Sequence, residues 1–413
     1  FATAVRFCLK IQNDCVPSKV VAMKGSCVAC RPYVVLVDPF STGAMLAPEL
    51  DQRGYAVVAL WTKEVDDNRH HIPHAAEGFP KKFLAEVDEK ANLSLTAEAL
   101  RYATKADPFA VICGGDTGVK VADALSEFLG LRGNGTADVQ NRRDRQLQQD
   151  AVKVAGLRSV RSVCGKSWKD VCHFTETERF PIIVKPVASG GSGHGVKLCH
   201  SADEAEKHFQ LLNSQRKVSG GAVLLQEYLK GKEYIVDCVS RDGVHKVTMV
   251  WVFDRRPANG AGFVCFGQHC VASNDLVAQQ VIAYTRGCLD ALHITNGATH
   301  TEVMMTETGP CLVEVHSRCH GAAGAWMSLA RSLTGYTQVD ACVDAFLDAN
   351  AFAGLPEVPP PFRSGQVATL VEGESTNFQR FRPLRPGGRG CARKSARLLL
   401  AAALKNSRGP RAL

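Results

Sequence analysis

Apolar positions change rhythm along this chain. Near the N-terminus, residues 33–37, 55–61 and 109–113 are apolar almost throughout. Uninterrupted apolar runs of that length read as parallel strands buried on both faces. Two of them run into turns, 38–43 and 114–118, rich in Asp, Gly, Ser and Thr. Residues 44–52 are expected to form a helix with Ser41 or Thr42 as N-cap and Gly54 as its stop. A second helix follows the 114–118 turn, with Val121, Ala122, Leu125, Phe128 and Leu129 on one face. Strand, helix and strand at this spacing predict an open parallel α/β domain over residues 32–132.

Beyond it the runs shorten. Strands are expected at 182–184, 196–198, 223–228, 234–239, 246–253, 300–305 and 311–315. Asp242-Gly243 marks a tight turn. Helices are expected at 141–155, 202–212, 274–292 and 325–350. Residues 254–272, with Arg255, Arg256, Phe263, Phe266 and His269, read as a long loop, a frequent place for binding function. Pro356, Pro359, Pro360 and Pro361 mark a boundary, no folded segment is legible after Phe362, and 378–413 reads as disordered. Residues 1–31 carry no clear pattern. The implied layout is 1–31 undefined, 32–132 open α/β, 133–230 a lid with a linker helix, 231–355 a catalytic unit, and 356–413 a basic tail, largely disordered.

Composition narrows the class. The 413 residues are 45% apolar and 22% charged, enough for two or three globular domains. Much of the net charge of +8 sits after Phe362, and no nucleic-acid motif accompanies it, so neither nucleic acid nor membrane is an expected partner. No apolar run approaches the ~18 residues of a membrane span. The chain opens on Phe1, which suggests a fragment or a processed form, with no signal peptide in what remains. Sixteen scattered cysteines lack a disulfide spacing and read as small buried thiols in a reducing compartment, taken as the cytoplasm. The lone Cys27-Val-Ala-Cys30 lacks the second pair that zinc needs.

Two stretches carry chemistry. In the first, 180–196, an apolar strand delivers Lys185, and Gly190, Gly191, Gly193 and Gly195 follow. Glycines let backbone N–H groups converge on an anion, and the lysine adds a point charge for phosphate. A Walker loop is excluded, because no Gly-Lys-Ser/Thr follows the glycines. A dinucleotide fingerprint is excluded, because a strand follows rather than a helix. The reading is a lid over a nucleotide; the plainer alternative is a flexible hairpin with a solvated lysine. Upstream, Arg142, Arg143 and Arg145 crowd the first turn of a helix, where the dipole disfavours cations. Either an anion lies nearby or they pair with Asp144 or Asp150.

The second stretch is 300–321. A three-residue loop, 307–309, would pair Thr306 with Pro310, Met304 with Leu312, and Glu302 with Glu314. Facing carboxylates are destabilising unless a cation lies between them. Oxygen donors suggest Mg²⁺ or Mn²⁺. By strand alternation His316 shares the face of Glu314, and Arg318 joins it if the strand persists. Two exposed glutamates are the alternative.

Together, Arg145, Lys185, the glycine loop, the segment from Gln226 to Glu233, and Glu302, Glu314 and Arg318 resemble the ATP-grasp superfamily. The likeness is greatest to its carboxylate–amine ligases, of the L-amino-acid ligase and carnosine synthase type, and covers about residues 32–350. It implies an α/β fold, α+β in part, in which the open parallel domain precedes two ATP-grasp subdomains with antiparallel sheets. It implies that Arg145 and Lys185 contact phosphate and that Ser189, Gly190, Gly191, Ser192 and Gly193 close over it. Gln226, Glu227, Tyr228 and Leu229 would line the adenine pocket, and Glu233 would hold the ribose. Glu302 and Glu314 would bind Mg²⁺ (or Mn²⁺), and Arg318 would steady the transferred phosphoryl group. The implied reaction joins a small-molecule carboxylate and amine through an acyl phosphate, releasing ADP and phosphate. A homo-oligomer is compatible with it. An ATP-binding protein without ligase activity and a carboxylase-like member are the alternatives. One position departs from the pattern: His316 stands where the family usually has Asn, two residues after the second metal glutamate.

Overall fold

The computed structural model describes residues 6–9, 31–65, 69–73, 76, 78, 80–187, 195–214, 222–258, 261–362 and 365–370. The first strand is β1 (Arg6–Leu9). Next, β2 (Tyr33–Val37), β3 (Ala56–Trp61), β4 (Ala85–Asp88) and β5 (Ala110–Cys113) form a parallel sheet in the order β4-β3-β2-β5. Every residue of β2 and β3 is buried, as their unbroken apolar sequence requires. Val34 and Leu36 face a core that includes α1 (Leu46–Gln52), while Tyr33, Val35 and Val37 face α2 (Leu93–Thr104) and α3 (Val119–Phe128).

One local expectation fails here, and two elements escaped the sequence reading. Residues 41–45 form a 3₁₀ turn before α1, and neither Ser41 nor Thr42 caps that helix. Thr42 Oγ1 instead donates to Gly321 O (2.7 Å) and accepts from Gly324 N (2.8 Å), a tertiary bond in place of a cap. β4 escaped notice because it is an edge strand with only Val87 buried. α2 also escaped notice, although Asn92 caps it by accepting from Leu95 N at 2.9 Å.

After α4 (Arg145–Val154) comes a small antiparallel sheet. Its strands are β6 (Ser162–Gly165), β7 (Ile182–Pro186), β8 (Lys197–Cys199) and β9 (Val223–Glu227), in the order β6-β9-β7-β8. The short α5 (Trp168–Val171) and α6 (Phe174–Thr177), with α7 (Ala202–Ser214), bury its apolar face around Ile182, Val184, Phe209 and Leu225.

The large sheet is antiparallel throughout. It comprises β10 (Gly231–Arg241), β11 (Val244–Ala258), β12 (Ala261–Val271), β13 (Gly297–Thr306), β14 (Gly309–His316) and β15 (Gln366–Leu370), in the order β1-β15-β12-β11-β10-β13-β14. Asp242 and Gly243 both adopt positive φ in the turn between β10 and β11, as Asp-Gly predicts. One face packs on α8 (Leu276–Ala291); the other holds Trp251 against Trp326.

The expected 254–272 loop is therefore mostly the β11–β12 hairpin. Its glycines and arginines hid the alternation. The expected helix 325–350 is three helices: α9 (Met327–Thr334), α10 (Gln338–Leu347) and α11 (Ala349–Gly354). Gly335 stops the first in a left-handed conformation (φ 85°), and Thr337 with Asp340 caps the second. The stretch after Phe362 contains β15, a five-residue strand with too little pattern to read alone. Among the described residues no helix is long and apolar enough to cross a membrane. The described cysteines are free thiols, with Cys199, Cys238, Cys288 and Cys311 buried and Cys113 half-buried. Cys27 and Cys30 lie outside the described residues.

Candidate active site

The β13–β14 hairpin sets the site. Its turn has two residues, Glu307 and Thr308, and Gly309 takes the positive φ (104°). Thr306 pairs with Gly309 and Met304 with Cys311, one residue away from the expected partners. An irregularity between Glu302 and Val303 leaves Val313 without a partner and restores the frame. Beyond it Glu302 faces Glu314 and His300 faces His316. The acidic pair was foreseen with the wrong loop; a β-bulge, invisible in the sequence, supplies the missing residue.

Four other segments bring cations to these acids. Arg145, at the start of α4, places Nε and Nη2 each 2.6 Å from Glu314 Oε2. Arg255, on β11, donates from Nη2 to Glu233 Oε1 (3.0 Å) and lies 3.6 Å from Glu302 Oε2. Lys185, on β7, is buried, and Glu314, Glu302 and Glu233 draw on its charge. Arg318 Nε donates to Asp116 Oδ2 (2.9 Å), and His316 Nδ1 lies 3.0 Å from Asp116 Oδ1. Asp116 belongs to the glycine turn after β5, so the parallel sheet contributes a carboxylate from the ends of its strands.

The three arginines expected to crowd one helix turn are sorted apart. Asp144 caps α4, so Arg142 and Arg143 precede the helix. Arg142 is buried on Asp123 (3.0 Å), and Arg143 pairs with Glu64 (2.8 Å). The partners are carboxylates of other elements rather than Asp144 or Asp150, and Arg145 takes Glu314.

Electrostatics follow from crowding in a dry place. Burial lowers the Lys185 ammonium to about 8, and nearby Arg145 reinforces it. Burial also raises the carboxyl of Glu233, helped by the charge of Glu302 beside it. Burial would do the same to Glu302, yet the His300 hydrogen bond and Arg255 hold it below the carboxylate range. Glu314 falls to about 2, because His316 and Arg145 outweigh its burial. Burial opposes charge on His316, but Asp116 and Glu314 raise it to about 10. Glu302, Glu314 and His316 each offer a ligand atom, all within 4.8 Å of one another. That donor set fits a divalent ion.

Glu227, Tyr228 and Leu229 line an open cleft with Arg158, Lys230 and residues 306–308. Gln226, buried on β9, has a side-chain Nε2 without a hydrogen-bond partner among the described residues. Ser189, Gly190, Gly191, Ser192 and Gly193 lie outside the described residues.

Sequence reasoning offered the turn holding Asp116 as a ligand-binding turn but missed its bonds to His316 and Arg318, and it missed a buried cluster, Asp237 with His300 and His320. Asp237 Oδ1 lies 3.0 Å from His300 Nδ1, and Oδ2 lies 2.8 Å from His320 Nδ1. His300 Nε2 reaches Glu302 Oε1 at 3.4 Å. A charge inside the apolar run Tyr-Ile-Val-Asp-Cys-Val of β10 was the available signal.

Residues 178–325 match the profile of the ATP-grasp domain. The chain carries an ATP-grasp domain. It is 27% identical over 333 residues to dapdiamide A synthase of Enterobacter agglomerans, covering 78% of this chain and 75% of that protein. The fold matches L-amino acid ligase from Bacillus licheniformis with a TM-score of 0.62 at 17% identity, over 81% of this chain and 79% of that one. N5-carboxyaminoimidazole synthetase from Staphylococcus aureus, complexed with ADP, matches at 0.61 and 17%, over 81% of each chain. The ATP-grasp match spans β7 through β14, the segment that supplies Lys185, Glu233, Glu302 and Glu314.

Proposed function

We propose that this ATP-grasp domain uses ATP to activate a carboxylate, through an acyl phosphate, and joins it to the amine of a second small molecule. The observation that carries this reading is the convergence of Lys185, Arg145 and Arg318 on the Glu302–Glu314 pair in one partly buried site. A carboxylate does not react with an amine in water. Phosphoryl transfer makes its carbonyl attackable, and the protein's share is positioning and charge neutralisation. The similarity to dapdiamide A synthase and to L-amino acid ligase supports amino-acid-like substrates.

The residues divide the work. Lys185 and Arg145 hold phosphate oxygens. Arg145 leaves Glu314 for the nucleotide, which frees that carboxylate. Glu302 and Glu314, with His316, would hold Mg²⁺ or Mn²⁺, which would supply positive charge against the transferring phosphate. Arg318 faces the oxyanion of the tetrahedral intermediate, a role worth roughly 3 kcal/mol per donor. Glu227 to Leu229 wall the adenine, the orphaned amide of Gln226 gains a partner there, and Glu233 holds the ribose. Residues 189–193 cover the phosphates.

The deciding experiment is phosphate release across paired amino-acid panels with ATP and Mg²⁺ or Mn²⁺. Release that requires both a carboxylate and an amine partner is the expected result; silence across the panel overturns the ligase reading. Lys185→Ala is expected to weaken ATP binding about 10–100-fold, read by calorimetry, because it deletes a buried charge that faces phosphate. Unchanged affinity would place the nucleotide elsewhere.

A further inference from the structure

His316 stands two residues after Glu314 on β14, and the structure shows how it is held. Its Nδ1 lies 3.0 Å from Asp116 Oδ1. The other oxygen of Asp116 accepts from Arg318 Nε at 2.9 Å, so the carboxylate is pinned from both sides. With Nδ1 occupied, the imidazole turns Nε2 toward Glu314 Oε1, 3.4 Å away. That separation is long for a hydrogen bond, whose N···O distances cluster near 2.9 Å. It suits two neighbouring ligand atoms sharing one ion at bond lengths of about 2.1 Å. A carboxylate on the far nitrogen is the usual way a metal-binding histidine is oriented.

We propose that His316 is a nitrogen ligand of the divalent site, oriented by Asp116, and that this site prefers a first-row transition ion to Mg²⁺. The proposal rests on the reading of Glu302 and Glu314 as metal ligands. Imidazole suits transition ions, whereas Mg²⁺ seeks oxygen. The incoming ion takes the place of the Nε2 proton, which passes to solvent. Asp116 comes from the turn after the parallel sheet and the three ligands from the large sheet, so the imidazole links the ion site to the parallel sheet. Asp116 acts through His316 and is a positioning residue.

Mn²⁺ with ADP, bound to the full chain, provides the test by electron spin-echo spectroscopy. The expected spectrum shows ¹⁴N modulation from a bound imidazole. Labelling histidine with ¹⁵N should convert that pattern, which separates it from any adenine nitrogen. His316→Asn should abolish the histidine coupling while Mn²⁺ stays bound, and should lower the Mn²⁺-over-Mg²⁺ affinity ratio about 10–100-fold. Asp116→Ala should weaken Mn²⁺ binding in the same direction and less. Mn²⁺ bound without histidine coupling, and weakened by Glu314→Gln, overturns the proposal and leaves the metal reading intact. Mn²⁺ binding indifferent to both Glu302→Gln and Glu314→Gln overturns both. Because His300 Nε2 also lies 3.4 Å from Glu302 Oε1, the coupling must vanish in His316→Asn and persist in His300→Gln; a coupling lost only in His300→Gln overturns the proposal.

Discussion

Glu314→Gln is expected to reduce phosphate release at least ~10²-fold while the protein stays folded. Outer partners of metal ligands already cost 10–100-fold when removed, so a direct ligand costs at least that. The substitution keeps the side-chain shape and one carbonyl oxygen for Arg145, but removes the charge that attracts a divalent ion. It also removes one of two carboxylates held face to face by the β13–β14 ladder, which are mutually repulsive without an ion. Loss of the Arg145 ion pair acts in the opposite direction. The two effects offset, so the melting temperature without ligands should move little. The stabilisation conferred by ADP with Mn²⁺ should largely vanish, since ligand binding to the native state is what raises it. Full turnover with an unchanged ligand-induced shift would remove Glu314 from the site.

Much of this site was legible because its chemistry conflicts with its setting. A lysine ending an apolar strand and two glutamates inside apolar strands violate the patterning that folds the rest. Those conflicts are written in residue identities. Connectivity between distant elements is not. Asp116 lies in a turn that was noticed, but nothing in the sequence joins it to His316 and Arg318, 200 and 202 positions away. The bulge at Val313 was hidden for another reason. It inserts one residue into a ladder, and the hydrophobic pattern of β14 reads equally well with or without it. The β11–β12 hairpin was mistaken for a loop because half-buried strands lined with arginine and glycine lose their two-residue alternation. The parallel sheet was the easier reading, since strands buried on both faces need no alternation.

Asp237→Ala is expected to destabilise the protein by roughly 3–5 kcal/mol, the usual cost of removing one partner from a buried charged network. Asp237 is fully buried in the middle of β10. Its carboxylate accepts from the ring nitrogens of His300 and His320 and from Trp251 Nε1 at 2.8 Å. His320 stacks on Trp326 at 5.2 Å between ring centroids, so the donors cannot turn away to find water. Alanine leaves them unsatisfied inside the core between β10, β13 and α9. Asn should cost less, because it keeps one acceptor oxygen, but its amide hydrogens face N–H donors. The pH dependence has a definite sign. Burial alone would raise the Asp237 carboxyl, yet His320 and His300 hold it well below its ordinary value of 3.8. A depressed native value means that the stability it confers is complete above about pH 4 and is lost as pH falls below that. Burial also lowers His320 from its ordinary 6.5, so native stability begins to fall as pH drops through that value and the unfolded chain takes up the proton first. Urea denaturation from pH 8 to pH 3 should show both losses in the parent chain. In Asp237→Ala the loss below about pH 4 should be smaller, on a curve already lowered at neutral pH. Equal stability of variant and parent at pH 7 would mean that the two imidazoles do not depend on this carboxylate.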